Sequence, residues 1–193
     1  MTTLEEAWAW YQATKSGADQ LAQLSKHWTE FPWDSDDAWM SRLRRDNVLG
    51  DVQADRLAAG AKVVQKELDN LAILVLFSVF EANVRDWVAG QVRPEVDQLR
   101  HPSLRHAGEE LLRAVAEGGF FRILESLKSP ATTDLIEQVN QIRKHRNWVA
   151  HGRRADMKPE AIIRPRDAYQ RLNQFLAAIR PPPPADDDDE SDL

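Results

Sequence analysis

Along most of the chain, apolar residues return every three or four positions, and short polar, glycine or proline breaks separate these stretches. That period is the signature of amphipathic helices. Thr3 can cap a first helix whose first turn holds Glu5 and Glu6, at the positive end of the helix dipole. The spacing carries this helix to about Trp28, and FPWDSDD follows as a loop. Ser35 or Asp36 can cap a short helix through Arg45. Asp51 opens the longest helix, which is expected to end before Pro94 because proline lacks the N–H that continues the ladder. Its middle, LAILVLFSVF, is apolar nearly all round and belongs at the centre of a bundle. A further helix runs from Ser103 to Glu117, where Gly118-Gly119 breaks it. A short piece spans Phe120 to Leu127 and is closed by Ser129-Pro130. Thr133 caps the next helix, with Gly152 as its stop, and a last helix runs from about Pro165 to Ile179. No sustained period-two alternation and no Asn-Gly or Asp-Gly hairpin signal occurs, so an all-α fold is expected. Residues 1–50 read as an N-terminal helical extension packed on a bundle of residues 51–180. Residues 181–193 read as a disordered Pro/Asp tail.

Composition narrows the classes. A chain of 193 residues is long enough for one well-packed domain and short for two. The absence of cysteine excludes disulfides and thiolate metal sites, and it suits a reducing, cytoplasmic setting. MTTLEEAWAWYQ has no basic stretch followed by an apolar one, so a secretory signal is not expected there. The apolar run from Leu71 to Phe80 is half the length of a membrane span, so no membrane association is expected.

The net charge of −6 conceals an asymmetry. The segment PPPPADDDDESDL carries six acids, and removing them from the 31 Asp and Glu leaves 25 against 25 Lys and Arg. Within that neutral body, Glu137 to Arg180 holds ten Lys/Arg and four Asp/Glu. A polyanion such as RNA would be drawn to this segment and repelled by the tail. The tail could itself occupy the basic region in place of RNA.

The helix from Thr133 carries the candidate chemistry. Leu135, Val139, Ile142 and Val149 recur at roughly helical spacing and should face the core. Arg143, Asn147 and His151 stand four residues apart and form one stripe, with Arg146 and the small Ala150 beside it. A permanent cation, an amide and an imidazole thus project from the last turns of one helix.

Arg146-Asn147-Trp148-Val149-Ala150-His151 resembles the R-x4-to-6-H motif of HEPN domains, including the polar residue after the arginine. Gly152 and a further long helix follow, as in many HEPN proteins. The stretch from Phe80 to Trp87, FEANVRDW, looks like part of the helix that precedes the motif helix in several subfamilies. The resemblance covers roughly residues 60–180. It implies a helical bundle that forms a homodimer through its motif helices, with two motifs facing across a two-fold axis. It also implies a metal-independent endoribonuclease that needs no cofactor and uses the RNA 2′-hydroxyl as nucleophile. Toxins and anti-phage defence effectors are common in this family, often paired with an antitoxin or another regulatory protein. In one group the antitoxin modifies a tyrosine two residues beyond the motif histidine. That position is Arg153 here, which does not fit that form of control.

The residue types suit such a reaction. Histidine changes protonation near neutral pH and can move a proton. Arginine offers a planar fork of donors to a phosphate that gains charge. Asn147 can orient the imidazole or hold a phosphate oxygen. Arg143, Lys144, Arg153 and Arg154 can grip the RNA backbone without reading sequence, or can be a solvated basic face. Glu81, inside an apolar run, can fix a motif arginine or form an ordinary pair with Arg85. His151 can equally be a dipole-stabilised residue at a helix end. His145 is expected at the surface, and Trp148 in the bundle rather than stacked on a base. No zinc motif, phosphate-binding loop, serine-nucleophile elbow or calcium loop is present. The alternative to a nuclease is a non-catalytic HEPN module that dimerises or binds RNA or a protein.

Overall fold

The computed structural model describes residues 1–30, 37–45 and 53–180. Among these residues every regular element is helical and no strand occurs. Residues 31–36 of the expected loop FPWDSDD, with the caps Ser35 and Asp36, the start at Asp51 and the acidic tail lie outside the described residues. The helices are α1 (Leu4–Lys26), α2 (Ala38–Arg45), α3 (Ala54–Asp97), α4 (Pro102–Glu117), α5 (Phe120–Ser126), α6 (Thr133–Ala150) and α7 (Pro165–Ile179). None is long and apolar enough to cross a membrane.

The helix limits follow local chemistry, with two differences from the sequence reading. Pro94 does not stop α3. It sits within the last turn, where little of the hydrogen-bond ladder remains for it to interrupt. Only that turn's ladder is affected, because the helix ends at Asp97. The second difference is at α6, where Thr132 rather than Thr133 holds the N-cap position. Its hydroxyl does not reach into the helix. It accepts from Ser129 N–H at 2.8 Å and donates to Leu127 O at 2.8 Å, so the buried side chain builds the preceding turn.

The described residues divide into two compact units, those within 5–72 and those of 1–4 with 73–180. The division falls inside α3, whereas the sequence reading placed a boundary at residue 50.

In the unit of residues 5–72, the buried side chains are small: Ala7, Ala18, Ala61 and Ala72, with Tyr11, Leu68 and Trp28 as the larger members. Tyr11 packs its ring on Trp8 and donates its hydroxyl hydrogen to Asp69 Oδ1 at 2.7 Å. Lys15 in turn donates to the Tyr11 hydroxyl at 3.1 Å. Burial is the main influence raising the Tyr11 pKa, while its bond to Tyr11 is the main one raising that of Lys15. Gly17, Ala18 and Leu21 face Leu57, Gly60, Ala61 and Val64 across an open apolar groove of about 630 Å³.

The unit of residues 1–4 and 73–180 is built on aromatic contacts. Phe77 and Phe80 of α3 both meet Phe120 edge-on, at 5.7 and 5.8 Å between ring centres. Phe80 also packs on Phe175 of α7 at 5.6 Å. Ile73, Leu76, Val84, Leu124, Ile142 and Leu172 complete this core. The helix α4 runs close to α3 at Gly108, where an added Cβ would lie 2.7 Å from Val96 Cγ1. Near the amino terminus, Asn83 Nδ2 donates to Thr2 O at 2.9 Å, and Arg180 Nη2 donates to Asn83 Oδ1 at 3.2 Å.

Candidate functional site

The motif residues sit where α6 ends. After Ala150 the backbone turns through His151, Gly152 and Arg153. Arg153 N–H bonds Trp148 O at 2.8 Å, and Gly152 N–H bonds Val149 O at 3.1 Å. This paired arrangement is a Schellman cap, which satisfies carbonyls that the helix leaves open. Gly152 takes the left-handed conformation it requires, with φ of 74°. Arg153 follows it there with φ of 59°, unusual for a residue with a Cβ. The cap leaves His151 exposed, and its backbone N–H bonds Asn147 O at 2.9 Å.

Arg146 lies half-buried beside the end of the aromatic core. Its guanidinium carbon is 5.7 Å from the centre of the Phe77 ring, within cation–π range. Nη1 donates to Asn147 Oδ1 at 3.1 Å. Nη2 faces Glu81 Oε2 at 4.0 Å, a charge contact beyond hydrogen-bond reach. Nε is buried and makes no hydrogen bond. The other carboxylate oxygen of Glu81 accepts from Arg85 Nη2 at 2.7 Å and Arg85 Nε at 3.2 Å. Glu81 therefore stands between two arginines, which joins both readings open to it in sequence.

The remaining basic residues are placed differently. Arg143 donates from Nε to Asn140 Oδ1 at 2.9 Å, and its guanidinium lies 5.2 Å from the Phe121 ring centre. Lys144 is exposed and lines a polar cleft of about 280 Å³ with Glu137, Gln141, Asp156 and Lys158. Arg153 belongs to the cap. Arg154 is exposed and pairs with Asp156 at 3.1 Å. Trp148 is half-buried and donates its indole N–H to Arg154 O at 3.0 Å, which ties the turn back to the helix.

The sequence reading of His145 requires correction. This residue is 1% exposed, not at the surface. The buried stripe of α6 is Ile136, Val139, Ile142 and His145, while Leu135 and Val149 are half-buried at its margins. Its Nδ1 accepts a hydrogen bond from Ile163 N–H at 3.2 Å. A backbone N–H can only donate, so Nδ1 carries no proton and the ring is neutral, with its hydrogen on Nε2. That Nε2 is buried without a partner. Burial first, and then the positive charge of Arg153, push the His145 pKa below its ordinary value. His145 thus holds the segment after the cap against the motif helix. Phe77, which lies against the Arg146 guanidinium, is the other contributor that sequence reasoning passed over, while Arg85 was read there only as a partner of Glu81. A spacing of three through residues 136, 139, 142 and 145 is the one signal that pointed to His145.

Among the described residues, no group of three or more His, Asp or Glu gathers where a metal ion could be held. In comparisons with known proteins, no family model, no curated protein and no solved structure matches the chain.

Proposed function

We propose that this chain is a HEPN-like, metal-independent endoribonuclease acting as a homodimer, and that it serves as a toxin or defence effector under the control of a partner protein. The observation that carries this reading is the end of α6. There Arg146, bonded to Asn147, is followed one turn later by an exposed His151. A cation bonded to its neighbouring amide and braced on Phe77 has less freedom to lose when it binds a phosphate. The exposed imidazole can exchange protons with a substrate, which the buried His145 cannot do.

In the proposed reaction the RNA 2′-oxygen attacks the adjacent phosphorus, and its proton passes to a base. The P–O5′ bond breaks, and the leaving oxygen takes up a proton. The products are a 2′,3′-cyclic phosphate and a 5′-hydroxyl. His151 moves protons, Arg146 stabilises the phosphate charge, and Asn147 orients one or the other. Arg143, Lys144, Arg153 and Arg154 supply backbone contacts, and two copies of the motif complete one site across the dimer axis.

The test is incubation of mixed tRNA and mRNA in EDTA with the purified protein, beside Arg146→Ala and His151→Ala. We expect cleavage with cyclic phosphate ends by the parent, and a loss of at least about 100-fold in each dimeric variant. Intact RNA in all three reactions would favour a non-catalytic module that dimerises or binds RNA or protein.

A further inference from the structure

We infer that Arg85 is a positioning residue for Arg146, acting by holding the Glu81 carboxylate back from it. This inference rests on the assignment of Arg146 as the phosphate-binding cation. It adds a residue that acts on Arg146 through Glu81.

Arg85 is the most constrained cation of the group, with a side chain 17% exposed. Nη1 donates to Val115 O, and Nη2 donates to Gly118 O at 2.9 Å. These two carbonyls belong to the end of α4 and its cap, where backbone acceptors lack helical partners and a positive charge is favoured. The guanidinium also lies 5.5 Å from the centre of the Phe120 ring. The same cation grips Glu81 Oε1 with two N–H groups. One fork thus binds the end of a helix, an aromatic ring and a carboxylate together.

The consequence falls on Arg146. Glu81 Oε2 stops 4.0 Å from Arg146 Nη2, although a free carboxylate would close to bonding distance. A closed pair would present no net charge to a phosphate and would spend donors that a phosphate needs. With Arg85 in place, the three groups sum to +1. Without it, Arg146 and Glu81 sum to zero. Arg85 therefore keeps the candidate catalytic arginine oriented but unspent, and it ties that state to the Gly118 corner between α4 and α5.

The experiment uses the full chain with Arg85→Gln, alone and combined with Glu81→Gln. Glutamine retains an N–H donor for the α4 carbonyls and loses the charge. The first readout is the side-chain Nε–Hε resonance of Arg146, assigned with Arg146→Lys. We expect Arg85→Gln to shift it toward a carboxylate-paired position, and Glu81→Gln in the same chain to reverse that shift. The second readout is the affinity for a 2′-deoxy-substituted RNA oligonucleotide, which cannot be cut by 2′-hydroxyl attack. We expect about a tenfold loss in Arg85→Gln and recovery to within about threefold in the double variant. A merely structural role for Arg85 would give no such rescue.

An unmoved Arg146 resonance in Arg85→Gln, or a double variant as impaired as the single one, overturns the inference. If Arg85→Gln does not fold, Glu81→Asp tests the same point, since the shorter carboxylate stays on Arg85 and withdraws from Arg146. The Arg146 resonance must then move in the opposite direction, and a shift toward carboxylate pairing overturns the inference. If the resonance behaves as expected but the parent never cuts RNA, the nuclease reading falls and the positioning role stands.

Discussion

Each of the two compact units has its own kind of core. In residues 73–180, large aromatic side chains from three helices meet edge to face. In residues 5–72, Tyr11, Leu68 and Ala72 form a small core with Trp8 and Trp10 packed against it, and Tyr11 adds a polar contact to Asp69. An aromatic core concentrates stabilisation in a few positions and fixes the groups that rest on it, as Phe77 fixes Arg146. The second core mixes the rings of Trp8, Trp10 and Tyr11 with buried alanines, and an apolar groove stays open beside Ala18 and Ala61. The candidate chemistry stands on the first kind of core, where the Arg146 guanidinium rests against the Phe77 ring.

The contrast is broken most severely at Phe80, which touches rings from α3, α5 and α7 and is fully buried. Phe80→Ala should lower unfolding free energy by about 3–5 kcal/mol in denaturant titrations. A loss below about 1 kcal/mol would mean that the aromatic cluster is not the stabilising centre. A smaller effect is expected at His145. His145→Leu leaves the Ile163 N–H without an acceptor, at a cost of about 1–3 kcal/mol.

The pH dependence of the parent follows from the same contact. The folded His145 pKa is depressed, so below the unfolded value of about 6.5 the unfolded chain binds more protons than the native one. This residue therefore makes stability fall as pH drops from about 6.5 toward the folded pKa. In melts across that range, His145→Leu should show a shallower decline than the parent, and equal slopes would remove His145 as the cause.

The smallest effect sharpens the comparison from the other side. An alanine side chain at Gly60 meets nothing within 4 Å. Gly60→Ala should therefore stabilise residues 5–72 by about 0.5–1 kcal/mol, through helix propensity alone. A destabilised variant would show that the groove needs its full width.

The helices themselves were legible because each break has a local cause, such as Gly118-Gly119 or Gly152. Pro94 was misread because proline's cost depends on how much helix remains beyond it, which a motif rule does not contain. His145 was misread for a different reason. Its partner, Ile163 N–H, lies 18 residues away and reaches it only after the cap has reversed the chain. The order of Arg146, Asn147 and His151 at a helix end could be read directly from sequence. The division of Glu81 between two arginines could not, since an i,i+4 pair is local while Arg146 arrives from another helix. The Arg85 bonds to Val115 and Gly118 span 30 and 33 residues and leave no periodic trace at all.

The approach of α4 to α3 also limits how this sequence can drift. With Val96 in place, any side chain at Gly108 must push against a stiff, branched neighbour. A larger residue can enter position 108 only after position 96 has shrunk, and a reversion at 96 is then closed off while 108 stays large. Descendants of this chain should therefore carry the two positions as a linked pair, with glycine at 108 wherever valine is kept at 96.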